Sequence, residues 1–219
     1  MRPEQLDRLL IQGPAGDLAV KVESARGFVQ PVTFVMCHPH PLFQGSMDNK
    51  VVTTMTKLFN GLGIKTIRFN YLGVGDSAGK YGRGVGETDD ALAVIEWARA
   101  QDPNHEIWLG GFSFGGAVAY RAAMPAKVEQ LLTLAPGVAT LDLSDAVEPD
   151  MPWVVMHSQD DEVVPIQPVL AWLQQRQCAY DLIKWVGVSH FFHGQLVALR
   201  RKLEPIYRQR LPVSQENVG

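Results

Sequence analysis

From residue 30 onward the chain alternates short, unbroken apolar runs with longer amphipathic ones. That alternation confines it to a mostly parallel sheet threaded with crossover helices. The runs Val32–Cys37, 64–71, Glu106–Phe112, 128–135, 152–157 and 180–186 read as strands. Between and after them, 49–62, 88–100, 117–124, 165–177 and about 192–210 read as helices. The residues before about Glu23, broken by Gly13-Pro14-Ala15-Gly16-Asp17, read as a hairpin of two antiparallel edge strands. The fold expected is α/β: a central sheet of about eight strands, flanked by helices. No repeat, linker or compositional break divides the 219 residues. They are read as a single domain, with 212–219 as a frayed tail.

Between the run at 106–112 and the helix that follows lies Gly110-Gly111-Phe112-Ser113-Phe114-Gly115-Gly116, which holds a Gly-x-Ser-x-Gly. On so tight a strand-to-helix turn the serine hydroxyl is pushed clear of the sheet, and the residues two places away must carry almost no side chain. Gly111 and Gly115 meet that demand, so Ser113 is a candidate nucleophile. The pattern recurs at Gly75-Asp76-Ser77-Ala78-Gly79, but there Lys80-Tyr81-Gly82-Arg83-Gly84-Val85-Gly86 follows, too rich in glycine for a helix to start at once. Ser77 therefore reads as a loop residue.

A serine hydroxyl is almost wholly protonated at neutral pH, so it needs a base, and the base needs a group that fixes its tautomer. Downstream, the run at 152–157 leads into Asp160-Asp161-Glu162 at its carboxyl end, where open parallel sheets place their sites. Any of the three could be the acid. Past the last strand comes Ser189-His190-Phe191-Phe192-His193. His190 follows the strand end directly, whereas His193 falls within the expected final helix. The order serine, acid, histidine suits a nucleophile on a strand-to-helix turn. Acyl transfer also needs two N–H donors for the oxyanion. Phe114, next after the serine, supplies one. The other falls to the loop after 32–37, where Pro39 and Pro41 have no N–H and leave His40 or Leu42.

These motifs, with His38-Pro39-His40-Pro41-Leu42, Asp48-Asn49-Lys50, Phe69-Asn70-Tyr71-Leu72-Gly73-Val74-Gly75-Asp76-Ser77 and Val164-Pro165, resemble the α/β-hydrolase superfamily along essentially the whole chain. The resemblance is nearer its small, capless bacterial branch of serine hydrolases. It implies an α/β-hydrolase fold without a cap domain, in keeping with the short segment 138–150. It selects Asp161 as the acid by its place three residues before Val164-Pro165, and His40 as the second oxyanion donor, although Pro39 stands where the family more often has glycine. The implied activity is a cofactor-free serine hydrolase acting through an acyl-enzyme on a small-molecule carboxylic ester, with thioesters, small amides or lactones open to the same groups. Leu42, Phe43, Met47, Phe112, Phe114, Phe191 and Phe192 lie on or beside the loops of such a site and are candidates to line an acyl pocket.

Composition narrows the function further. Twenty Lys plus Arg against 23 Asp plus Glu give a formal charge of -3, with no field to attract a nucleic acid. Two cysteines, Cys37 and Cys178, make neither a disulfide framework nor a metal site. A His38/His40 metal pair is disfavoured by the prolines beside them and the want of nearby carboxylates, so no metal is expected. The first ten residues are too charged for a signal peptide, and no later stretch is apolar enough to span a bilayer, so a cytoplasmic location is expected. Nothing in the sequence sets the oligomeric state.

Two rivals belong to other classes. Gly73-Val74-Gly75-Asp76-Ser77-Ala78 fits a dinucleotide fingerprint, but Gly79, Gly82, Gly84 and Gly86 postpone the next helix to about Thr88, and the fingerprint needs its glycines to open one. A non-catalytic binding protein on the same fold is opposed by the intact Ser, Asp and His set.

Overall fold

A computed structural model describes residues 6–25 and 27–212. Residues 213–219, and with them nearly all of the expected tail, lie outside the described residues. The described chain builds one eight-stranded sheet: β1 Leu6–Gly13, β2 Gly16–Glu23, β3 Val32–Cys37, β4 Lys65–Phe69, β5 Glu106–Phe112, β6 Gln130–Leu134, β7 Trp153–Ser158 and β8 Asp181–Trp185. Their spatial order is β1-β2-β4-β3-β5-β6-β7-β8. β1 pairs antiparallel with β2, and β2 antiparallel with β4. All later pairings are parallel. Only β1 of the N-terminal hairpin is an edge strand. β2 is shielded by β4, so the expectation of two edge strands holds for one of them.

Five α-helices cover the sheet: α1 Lys50–Gly61, α2 Val85–Gln101, α3 Phe114–Ala123, α4 Ile166–Gln174 and α5 Leu196–Gln209. The pleat divides the interior between the two faces. On β3, Val32, Phe34 and Met36 meet α1 and α5, while Val35 and Cys37 face the side covered by α2, α3 and α4. β5 does the same, with Trp108 and Phe112 on one face and Ile107 and Leu109 on the other. Burial on both faces is why these strands read as continuous apolar runs rather than alternating ones.

Two helix starts differ from those the sequence suggested. α2 begins at Val85 rather than Thr88, because Gly84, at φ 90°, caps it and Glu87 reaches back to accept the Gly84 N–H at 2.6 Å. α5 begins at Leu196 rather than near Phe192. Phe192 and Gly194 both hold positive φ, at 52° and 69°, which no helix continues through. His193 therefore sits exposed in a turn and not in the last helix. Between β6 and β7 the segment 135–152 contains no helix, so among the described residues nothing resembling a cap stands over the sheet's carboxyl edge.

Candidate active site

β5 lies near the middle of the sheet, and Ser113 is the first residue past its end. The serine holds φ 56° and ψ -122°, a combination that non-glycine residues rarely adopt. Backbone bonds over-determine it: its N–H donates to the Leu134 carbonyl at 2.9 Å, and its own carbonyl accepts from Gly116 at 2.8 Å, Gly137 at 2.9 Å and, more weakly, Ala117 at 3.4 Å. The flanking glycines are obligatory. A Cβ on Gly111 would lie 1.9 Å from the Gly115 carbonyl oxygen, and one on Gly115 would lie 2.4 Å from that of His38. The second contact means that the turn is pressed directly against the loop leaving β3.

Across the carboxyl edge, the loops after β7 and β8 bring in the other two groups. His190 Nε2 lies 3.0 Å from Ser113 Oγ, and His190 Nδ1 lies 2.7 Å from Asp161 Oδ2. All three side chains are buried, and the His190 ring packs 4.9 Å from that of Phe112 beneath it and 4.9 Å from that of Phe191 beside it. The other oxygen of Asp161 accepts the N–H groups of Val163 at 3.0 Å and Val164 at 2.7 Å. Burial alone would raise this carboxyl's pKa. The hydrogen bonds from His190 and Val164 outweigh it and hold the group below the ordinary carboxylate value. With Asp161 charged, His190 keeps its proton on Nδ1 and turns a bare Nε2 lone pair toward the serine, the arrangement in which an imidazole can take a hydroxyl proton.

The neighbouring acids are occupied elsewhere. Asp160 Oδ2 accepts the Gly187 N–H at 2.6 Å, and Glu162 Oε2 accepts the backbone N–H of His190 at 3.0 Å. Ser158 Oγ donates to the Val188 carbonyl and also accepts the Asp160 N–H at 3.1 Å. Together these bonds staple the loop that carries the acid to the loop that carries the histidine. Asp160 and Glu162 thus hold backbone, while Asp161 alone faces the imidazole.

The loop after β3 forms a three-residue 3₁₀ turn, Pro41–Phe43. His40 Nδ1 accepts the Leu42 N–H at 3.2 Å, so that donor is spent within the turn. The His40 ring sits 4.7 Å from the Phe114 ring, across the join between this loop and the serine turn. His38 is wholly buried and ties the ends of β3 and β4 together, with Nδ1 donating to the Pro39 carbonyl at 2.6 Å and Nε2 accepting from Tyr71 N–H at 3.2 Å. Burial pushes its pKa down to about 3, and it is neutral at any working pH. Both ring nitrogens are used, and among the described residues no group of three His, Cys, Asp or Glu could hold a metal ion.

The candidate pocket residues separate into two kinds. Leu42, Phe43 and Phe191 are exposed on the loops that carry His40 and His190, at 64%, 81% and 39%. Met47, Phe112, Phe114 and Phe192 are buried and pack the interior under the site. Ser77, in the second Gly-x-Ser-x-Gly, is also buried. Its hydroxyl accepts the Ala19 N–H at 2.9 Å and donates to the Asn70 carbonyl at 2.8 Å, with no imidazole among these partners. The segment 73–78 closes on itself through Gly73 N–H and the Ala78 carbonyl, 2.8 Å apart, and opens no helix. Tyr81 joins the loop after β3 from the glycine-rich segment before α2. Its hydroxyl lies 3.2 Å from His40 Nε2. A single tyrosine in a glycine-rich loop carries no signal of such a contact.

Comparison with known proteins bears on the fold and the family. Residues 33–150 match the X-Pro dipeptidyl-peptidase family (S15 family). An α/β serine hydrolase without a lid from Xanthomonas campestris is 41% identical, covers 98% of this chain and 99% of its own, and superposes with a TM-score of 0.91. An α/β serine hydrolase homologue from Coxiella burnetii is 42% identical over 91% of this chain and 96% of its own, with a TM-score of 0.88. An uncharacterized protein of Rickettsia prowazekii is 32% identical over 85% of this chain and 82% of its own length.

Proposed function

The chain belongs to the α/β serine hydrolases without a lid, and on that premise we propose that it cleaves carboxylic esters through an acyl-enzyme on Ser113. The observation that carries the reading is the continuous relay from Ser113 Oγ to His190 Nε2 at 3.0 Å and from His190 Nδ1 to Asp161 at 2.7 Å. In the first half-reaction Oγ attacks the acyl carbon and His190 takes its proton. The imidazolium, paired with Asp161, then returns that proton to the departing alcohol oxygen. Water repeats the sequence on the acyl-enzyme and releases the acid.

The oxyanion is assigned to the N–H groups of Phe114 and His40. Leu42 is the weaker candidate because its N–H already serves the His40 cap. The exposed Leu42, Phe43 and Phe191 on the loops beside Ser113 suit an uncharged, apolar acyl or alcohol group. A second reading, cleavage of peptide amides, is favoured by the match to the S15 family and would use the same groups.

A fluorophosphonate, followed by mapping of the modified peptide, tests the nucleophile, and labelling confined to Ser113 is expected. No labelling, or labelling at Ser77, would overturn the assignment. On a p-nitrophenyl ester Ser113→Ala should lower kcat by about 10³ or more. Asp161→Asn should cost nearly as much, and Asp160→Asn should leave most of the activity. Faster turnover of a dipeptidyl p-nitroanilide than of the ester would select the amide reading.

A further inference from the structure

We propose that Tyr81 is a positioning residue for the oxyanion turn, fixing the His40 ring so that the His40 N–H stays aimed at the acyl oxygen. This rests on the reading of Ser113, Phe114 and His40 given above. The turn after β3 is organised almost wholly by His40. Its carbonyl accepts the N–H groups of Phe43 and Gly45, each at 3.1 Å, and its Nδ1 accepts that of Leu42 at 3.2 Å. Pro39 and Pro41 have no N–H, so the one backbone donor left over at the head of the turn is that of His40 itself.

The tautomer follows from these bonds. Because Nδ1 accepts from Leu42, the neutral ring carries its proton on Nε2, and that N–H donates to the Tyr81 hydroxyl at 3.2 Å. Burial lowers the His40 pKa, against an opposing pull from Glu87, which keeps the ring in this neutral form. The Leu42 N–H therefore sets the tautomer, and Tyr81 holds the rotation of the ring that caps the turn by accepting its Nε2–H.

Tyr81 is itself held. Glu87, wholly buried at the start of α2, accepts the N–H groups of Gly82 at 2.8 Å and Gly84 at 2.6 Å, fixing the chain immediately after the tyrosine. Its ring lies 5.2 Å from that of His40 and 6.3 Å from that of Phe114. Three rings thus pack together across the two segments that supply the two donors. A three-residue 3₁₀ turn has little rigidity of its own. A donor displaced by a fraction of an ångström loses much of its hold on a charge that develops only in the transition state.

Tyr81→Phe keeps the ring and removes only the acceptor of the Nε2–H. It should lower kcat on a p-nitrophenyl ester about tenfold, a fraction of what losing an oxyanion donor outright would cost. KM should stay within about twofold, since the oxyanion contact is weak in the ground state. His40→Asn supplies the rescue test, because Asn can still accept the Leu42 N–H from the cap position but has nothing to offer Tyr81. In that background Tyr81→Phe should have no further effect on kcat. Wild-type kcat in Tyr81→Phe, a loss carried by KM alone, or an equal loss in the His40→Asn background would each overturn the proposal while leaving Ser113 as nucleophile. Failure of a fluorophosphonate to label Ser113 in the unsubstituted protein would overturn the functional reading, and this proposal with it.

Discussion

At the scale of single residues, adjacent groups of one chemistry have been put to different uses by the backbone that presents them. Asp160, Asp161 and Glu162 follow one another, yet their carboxylates meet Gly187 N–H, the His190 imidazole and His190 N–H respectively. Only the middle one is wholly shielded from water, between the histidine and two backbone N–H groups. Asp90, buried on α2, has the opposite character. One of its oxygens accepts the Leu72 N–H at 2.7 Å and the other has no partner in the structure. Burial, opposed by the Leu72 bond and helped by Glu87 and Asp89, raises its pKa from 3.8 to about 6.

The folded carboxyl of Asp90 therefore binds a proton more readily than the unfolded one. Its contribution makes the fold more stable as pH falls through about 6, and adds nothing further once both states are protonated, below about 4. Asp90→Asn abolishes that titration. Between pH 7.5 and 4.5, the Tm of the wild type should gain on that of the variant by several degrees, the gain setting in near pH 6 and growing toward the acid end. A difference independent of pH would show that Asp90 does not change its charge in that range. The sequence signalled Ser113, the acidic run and His190 because each follows an apolar strand. Asp90 and Tyr81 gave no such signal, since their importance lies in what the tertiary fold leaves unpaired or brings near.

At the scale of elements, the serine turn is a tightly constrained join. Gly111→Ala would drive a Cβ to within 1.9 Å of a backbone oxygen that cannot swing away. It should cost about 3 kcal/mol or more, roughly 6–12 °C of Tm in a chain of this size, and remove activity. Gly61, at the end of α1, has open space where its Cβ would go, so Gly61→Ala should leave Tm unchanged or slightly higher. Thermal melts of the two variants check the contrast.

The strands were legible because burial on both faces writes them as unbroken apolar runs. Two features were not. The order in which strands pair leaves no trace in local periodicity, which is how β2 came to look like an edge. The starts of α2 and α5 depend on single φ angles at Gly84, Phe192 and Gly194, which composition around them does not fix.

At the scale of the whole molecule, the described residues leave the carboxyl edge of the sheet without a covering layer, and the segment 135–152 contains no helix to supply one. Among the described residues, no helix is long and apolar enough to cross a membrane. An enzyme with no lid to displace has no separate open state for an oil–water interface to select. The rate on a sparingly soluble ester should therefore rise smoothly through the solubility limit. An abrupt jump on passing from dissolved to aggregated substrate would mean that some segment does close over Ser113.

The left-handed backbone at Ser113 also bears on the molecule as a whole. Glycine accepts φ 56° and ψ -122° at ease, whereas a residue with a Cβ does so at a cost of about 1–3 kcal/mol. Ser113→Gly should melt several degrees higher than the wild type, by calorimetry, and hydrolyse nothing. Selection for thermal robustness alone would drive this chain toward an inert glycine at its centre. The serine there marks a site where durability and reactivity compete for the same residue.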